Sequence, residues 1–293
     1  MFGPTFDPDI GRQAARIASG PCAVPNSLRS HGELRLAFGQ RNGRTVMKDS
    51  YQAGCLRARM PRRDEGGRPC AVLINTAGGL AEGDSVRQSV RWAAETSATV
   101  TGQAAEKVYR ALSHGCRIDT QLRVEQGADA EWLPQETILF DCARLARETR
   151  ILLDADVTFL GLEAVVLGRA AMGERMAHGA LGDRMRIYRN GRLIYADALA
   201  LEGDVDAMMR RSAIGGGAGA MAVIVHASAR AAALLEPVRQ ALAEPAGRAA
   251  ASAWNGLLAI RLLAPDGAAL RADIMAALAA LREGRPLPRV WRC

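Results

Sequence analysis

The segment Cys116–Glu125 constrains the fold more than any other. Cys116, Ile118, Thr120, Leu122 and Val124 alternate with Arg117, Asp119, Gln121, Arg123 and Glu125. Successive strand side chains point to opposite faces, so strict period two over this length specifies a half-buried β-strand. Ser85–Trp92 repeats the pattern more weakly, with Val86, Val90 and Trp92 on one side. Asn190-Gly191 separates Arg184–Arg189 from Arg192–Ala198. An Asn-Gly pair between two such runs signals a hairpin, because a type I′ turn needs positive φ at both central residues. Further strands are expected at Val72–Asn75, Ala98–Gly102, Ile138–Phe140, Thr149–Leu153, Leu160–Leu167, Ala222–Val225 and Leu257–Leu262.

Helical spacing comes late. Ala233, Leu234, Val238 and Leu242 space Ala231–Leu242 as a helix ahead of Pro245. Ala272–Arg282 does likewise, with Asp273 in its first turn and Gly284 at its end. Strands first and helices later argue against an alternating β-α-β chain. The expected class is mainly β: an irregular, multi-layer β-sheet domain with a few α-helices, mostly toward the C-terminus. Residues 1–28 carry four prolines and little periodicity and read as an irregular arm. Residues 29–293 read as one domain. No internal repeat is visible, and Gly215-Gly216-Gly217 reads as a flexible connection.

Composition bounds the function classes. Hydrophobic residues make up 49% and charged residues 24%, the balance of a globular chain with a real core. Of the 38 basic residues, Lys48 and Lys107 are the two lysines. That bias fits GC-rich coding; it also fits bidentate contacts to an acidic partner, and the two are compatible. The arginines are spread along the chain and aromatics are only 4%, which argues against nucleic acid. No apolar run is long enough for a membrane span. The six cysteines form no CxxC and suggest no disulfide framework, so a cytoplasmic protein with reduced thiols is expected.

Familiar catalytic signatures are missing. No GxxxxGK[ST], no GxGxxG in strand–helix context, no GxSxG and no HExxH occurs. Four polar constellations stand out instead. Asn75-Thr-Ala-Gly-Gly-Leu-Ala-Glu-Gly-Asp84 follows an apolar strand and reads as a tight turn or a rigid partner-binding loop, with Asn75, Gly78, Gly79 and Asp84 its key residues. In Gln103–Arg110, Glu106 and Lys107 are placed to pair locally, and Tyr109 to bury its ring. Leu133–Phe140 holds Gln135 and Glu136 between a proline and an apolar strand. Glu163 lies in a run too apolar for a solvated face, so it is either ion-paired, with Arg169 as candidate, or lines a wet cavity. Glu136, Glu163, Glu174, His178 and Asp183 form a set of oxygen and imidazole groups suited to loose, exchangeable binding of a divalent metal.

These segments resemble one family. NTAGGLAEGD, Thr101–Arg110, LPQETILF, LEAVVLGRAAMGE and the closing Leu287–Trp291 occur in the order found in urease accessory protein D, also called H. The resemblance runs from about Ser27 to Trp291. It implies an irregular, mainly β fold and no enzymatic activity. It implies binding to the urease structural subunits and to accessory proteins F and G, with protein E acting indirectly, and no tightly bound cofactor. Nickel would pass transiently through an internal, partly acidic tunnel, for which Glu136, Glu163 and Glu174 are the candidates and His178 and Asp183 weaker ones. Two other classes stay open: a metal-dependent hydrolase using Glu136, His178 and Asp183, and a plain protein-interaction domain that moves no metal.

Overall fold

The computed structural model describes residues 29–61 and 68–292. The N-terminal arm expected at 1–28 lies outside them. In chain order the first strands are β1 (His31–Arg41), β2 (Arg44–Ala53), β3 (Leu56–Arg59), β4 (Cys70–Asn75), β5 (Ser85–Trp92) and β6 (Ser97–Gly102). Next come β7 (Glu106–Val108), β8 (Cys116–Val124), β9 (Asp129–Leu133), β10 (Thr137–Leu139), β11 (Arg144–Leu153), β12 (Thr158–Leu167), β13 (His178–Arg189) and β14 (Arg192–Asp204). Helix α1 (Val205–Arg210), β15 (Ala220–Ala227), α2 (Leu235–Ala241), β16 (Arg248–Trp254), β17 (Leu257–Ala264) and α3 (Gly267–Leu281) complete the chain.

The strands form two sheets. One has seven strands in the order β14-β13-β11-β8-β5-β1-β2. The other has ten, in the order β16-β17-β15-β12-β9-β6-β4-β3, with β10 and β7 inserted beside β12. The fold is mainly β, as the alternation predicts, and strands do not alternate regularly with helices; α2 makes a split β-α-β return, from β15 to the parallel β16 with β17 between them. Parallel pairing is nonetheless extensive: β1, β5, β8, β11 and β13 run parallel side by side. A parallel pair needs a long crossover, usually a helix. Here the return is made by a strand of the opposite sheet. The chain goes β5 to β6, β8 to β9, β11 to β12, adding one strand to each sheet per turn. This winding has no signature in single-strand periodicity, so the sequence reading does not contain it.

Three Asn-Gly turns close antiparallel hairpins at the sheet edges. Asn42-Gly43 joins β1 to β2, Asn190-Gly191 joins β13 to β14 and Asn255-Gly256 joins β16 to β17. All six residues have positive φ. Only the middle turn was expected, although the other two carry the same dipeptide.

The layers are sheet, sheet, helices. The seven-stranded sheet packs on the ten-stranded sheet through Phe38, Val90, Trp92, Leu122, Ile151 and Phe159 among others. Helices α2 and α3 cover the outer face of the ten-stranded sheet, burying Val238, Leu270, Ile274 and Leu278 against Leu160, Leu162, Ile224 and Ile260. Each such side chain contributes about 1.5–3 kcal/mol of burial. Strand β12 is therefore covered on both faces, which is why Leu160–Leu167 reads as a continuous apolar run. Its odd-numbered residues face the other sheet and its even-numbered ones face the helices.

Several boundaries differ from the sequence reading. Helix α3 starts earlier, at Gly267, because Asp266 caps it by accepting from the Ala269 N–H at 2.9 Å. Asp273 is thus not in the first turn; it is buried and accepts from the backbone N–H groups of Ala246 and Gly247. Helix α2 is shorter than expected, and α1 was not foreseen. Gly215–Gly217 is not a loose connection: these backbones fold onto the carbonyls of Arg211 and Met209, and Arg248 clamps the Gly215 carbonyl.

Candidate functional site

The apolar space between the sheets is interrupted by one polar row. On the seven-stranded sheet, Arg147 of β11 stands beside Asp183 of β13 in register, and both point inward. Arg147 Nε and Nη2 donate to Asp183 Oδ1 and Oδ2 at 2.9 and 2.6 Å, a bidentate fork. Glu163 of β12 comes from the opposite sheet and lies 2.7 Å from Arg147 Nη1. The Thr149 hydroxyl donates to Glu163 Oε1 at 2.8 Å, and Arg147 Nη1 also donates to the Thr137 hydroxyl at 3.2 Å. The ion pair expected for Glu163 is present, but its partner is Arg147 and not Arg169. The strand period explains this: an inward residue on β12 can reach only the facing sheet, whereas Arg169 lies beyond the strand end. Arg169 pairs with Glu174 instead.

One guanidinium thus serves two carboxylates. Burial pushes the Glu163 carboxyl up, Arg147 opposes this and Asp183 adds to it; the net direction is upward. Burial works against the charge of Arg147, but Asp183 and Glu163 together outweigh it and hold it above its ordinary value.

The ten-stranded sheet has a fault at the level of Glu163. Strand β9 pairs with β12 only as far as Trp132 opposite Gly161, and β10 resumes the ladder at Thr137 opposite Val165. One strand further, β6 stops at Thr101 opposite Leu133, and β7 resumes at Glu106 opposite Thr137. The segments 102–105 and 134–136 leave the ladder between these points. Pro134 suits such a break because it has no N–H to donate. A cavity of about 290 Å³ fills the fault, lined by Gly102–Ala105, Pro134, Gln135, Thr120, Arg147 and Glu163. It reaches the surface at Gly78, Gln103 and Lys107, which are exposed. Gln88 Oε1 is buried without a hydrogen-bond partner and lines it, as does Trp132, whose indole N–H is directed at Glu163 and favours its charged form. A second cavity, also about 290 Å³, lies on the other side of the same ion pair, lined by Arg147, Glu163, Asp183, Met185, Met209 and Met221. It opens at Ile214 and Arg261.

The conspicuous sequence segments gather around this fault. The loop Asn75–Asp84 forms one rim as an ordered turn: Asn75 Oδ1 accepts from the Ala77 N–H, and Asp84 accepts from Ser30 and Ala81. Gly79 has φ +150°, and a Cβ there would lie 2.5 Å from the Tyr109 ring. Glu106 is held by the Asn75 amide at 3.1 Å, and burial raises its carboxyl. The side-chain pairing expected between Glu106 and Lys107 gives way to this contact; only the Lys107 backbone N–H bonds Glu106, and the Lys107 side chain is exposed. Tyr109 is not buried as expected. Its ring packs edge-on against Phe140 and its hydroxyl donates to the Gly78 carbonyl at 2.9 Å. The closing segment docks on the same fault: Trp291 Nε1 donates to Thr101 Oγ1 at 3.0 Å, and Arg271 bonds both the Trp291 carbonyl and Gln135.

The remaining sequence candidates lie apart. Glu136 turns outward to Arg271 at 3.4 Å. Glu174 lines a third cavity, and His178 is exposed, with its backbone N–H on Asp141. Glu163 and Asp183 are therefore brought together; Glu136, Glu174 and His178 do not line either cavity that meets there. Arg147 was missed. Its signal was available, since it falls on the buried side of the alternation in Arg144–Leu153. A buried Glu131–Arg282 pair at 3.0 Å, which ties the end of α3 to β9, was also missed.

The polar interior is thus self-paired, and among the described residues no three His, Cys, Asp or Glu side chains converge to hold a metal ion. The four described cysteines, Cys55, Cys70, Cys116 and Cys142, are free thiols. No helix among the described residues is long and apolar enough to cross a membrane. Fold and site together define a layered β protein with internal cavities beside an interrupted sheet. The family model described as UreD urease accessory protein matches residues 30–292. The urease accessory protein UreD of Azorhizobium caulinodans is 45% identical over 268 residues, covering 92% of this chain and 98% of that protein. That of Xanthobacter autotrophicus is 46% identical over 265 residues, covering 90% of each chain. Urease accessory protein UreD 2 of Methylorubrum populi is 44% identical over 284 residues, 95% of each. The chain belongs to the UreD family of urease accessory proteins, and its role lies in urease maturation.

Proposed function

We propose that the protein is a cytoplasmic scaffold that binds urease apoprotein together with accessory proteins F and G, and that it conducts nickel, as cargo, toward the urease active site through its own interior. It has no catalytic activity of its own. The observation that supports the conduit is the meeting of two surface-reaching cavities on Glu163. A cavity walled by a buried polar atom without a protein partner, as Gln88 Oε1 provides, is one that water enters. A hydrated ion can use such a space. Glu163, which lines both cavities, and Asp183, which lines the second, offer oxygen ligands to a divalent first-row ion without the thiolates that would hold it fast.

Glu163→Ala tests this reading. Arg147 keeps its fork to Asp183 in the variant, so no buried charge is left unpaired and the fold should persist. Urease activated in the presence of the variant should have specific activity lower by roughly tenfold, with co-purification of urease subunits and protein F unchanged. Normal activation by a folded variant would remove Glu163 from the nickel path. Loss of co-purification would point instead to an adhesive role.

A further inference from the structure

We infer that Leu112 is a docking anchor: it enters an apolar recess, rimmed by carboxylates, on a protein partner that seats over the mouth of the first cavity. This rests on the scaffold reading and adds a place of contact to it. Two of the conspicuous polar segments carry the inference, because residues 75–84 grip residues 106–115 along their length. The Asn75 amide holds Glu106 at 3.1 Å, the Leu80 N–H donates to the Lys107 carbonyl at 2.7 Å, and the Tyr109 N–H donates to the Leu80 carbonyl at 2.8 Å. Further along, the Gly83 N–H donates to the Gly115 carbonyl at 3.3 Å. Glu82 closes on the tip between these points. Its carboxylate accepts from the backbone N–H groups of Leu112, Ser113 and His114 at 2.9, 3.0 and 2.6 Å, and from the Ser113 hydroxyl at 2.5 Å. The Ser113 hydroxyl first, and the His114 N–H next, hold the Glu82 carboxyl down at about 2, so this clamp stays charged at neutral pH.

What the clamped loop displays is Leu112, 88% exposed and the barest large apolar side chain among the described residues. A lone exposed leucine is common on protein surfaces. This one differs in being held: three consecutive N–H groups fixed on one carboxylate set its position before any partner arrives, and a preordered group loses less freedom on binding than a mobile one. The surroundings define the partner. The first cavity opens at Gly78 and Lys107, and Tyr109 ties the stretch to that mouth through its hydroxyl on the Gly78 carbonyl. Five residues of chain separate Leu112 from Lys107, at most about 18 Å, and each side of an ordinary interface covers about 800 Å². Lys107 and Arg110 are exposed, and among the described residues neither pairs with a carboxylate; Arg110 approaches the Cys142 sulfur at 3.8 Å. The acid at the tip, Glu82, has its oxygens turned to the loop's own donors. The face is therefore apolar at its point and cationic at its base, and the complement is an apolar recess with carboxylates around it.

The test is biolayer interferometry of the full chain against immobilised urease apoprotein and, separately, against immobilised protein F. Leu112→Ser should weaken binding to at least one of the two by roughly tenfold or more, the worth of burying one leucine side chain. Leu112→Met should stay within about threefold of the unmodified protein, because an apolar recess accepts either side chain. Arg110→Glu should weaken the same complex, chiefly through slower association at low salt. Glu82→Ala frees the loop without touching the leucine and should weaken that complex about threefold. A folded Leu112→Ser that binds both proteins as the unmodified chain does overturns the anchor. If circular dichroism shows that this variant does not fold, unchanged binding by Arg110→Glu overturns it. The two readings fail differently. An unmodified chain that binds neither protein would sink the scaffold and the anchor together. Unchanged binding of both proteins by the variants would sink the anchor and leave the scaffold.

Discussion

Arg282→Ala is expected to lower unfolding free energy by about 3 kcal/mol, read as a shift of the urea midpoint at unchanged slope. Glu131 has no exposed surface, and Arg282 is buried over it, donating from Nε at 3.0 Å and from Nη2 at 3.2 Å. Removing one member of such a pair leaves a carboxylate in a dry interior, which costs far more than an exposed pair is worth. The loss should fall at the lower end of the usual range because Arg285 also reaches Glu131, at 3.2 Å. Glu131→Leu combined with Arg282→Leu should cost less than Arg282→Ala alone, because no charge is then stranded. The sign with pH follows. Burial alone would push Glu131 up, but Arg68, Arg282 and Thr99 outweigh it and hold the carboxyl below its ordinary value. Its contribution is therefore present above the ordinary carboxylate pKa and is lost as pH falls below it. A midpoint shift worth less than about 1 kcal/mol would mean that α3 is not anchored through this pair.

Stability should also fall between pH 6.5 and pH 4, by roughly 3 kcal/mol, through His226. This histidine on β15 faces the helical layer and is 5% exposed, and its Nδ1 has no partner. Burial lowers its pKa to about 4, partly offset by the Asp129, Glu283 and Glu131 carboxylates, while Arg285 pushes the same way as burial. A base whose folded pKa is depressed protonates first in the unfolded chain. Its stabilising effect is complete above 6.5 and drains away as pH falls through the folded value. His226→Phe should flatten this part of the profile in urea titrations from pH 7 to pH 4. An unaltered slope in that variant would assign the acid sensitivity to other groups. The Glu131 effect begins lower, below the ordinary carboxylate range, so the two are separable in one data set.

Much of the secondary structure was legible because burial and period are directly coupled. Cys116–Val124 shows the expected alternation of buried and half-buried side chains, and Ser85–Trp92 matches its strand end to end. The winding was not legible. Which strands become neighbours depends on crossovers that leave no mark on the periodicity of either strand. The polar segments were noticed individually, but their common purpose was hidden. Gly102–Ala105 and Pro134–Glu136 are the two halves of one break in a sheet, and the pairing that aligns them spans separate turns of the chain. Glu163 stood out because a carboxylate in a run of Leu, Ala and Val violates the pattern. Arg147 did not, because arginine is common everywhere else in this chain.

The winding bears on how the molecule assembles. Local hairpin closure at Asn42-Gly43, Asn190-Gly191 and Asn255-Gly256 needs only neighbouring residues and falls in the microsecond range of such turns, about 1–10 μs. The central strands have no such shortcut: β5, β8 and β11 each meet their neighbour only after an intervening strand has crossed to the other sheet. Contact order therefore predicts that the border hairpins close faster than the parallel middle, whose every pairing spans a full turn of the winding.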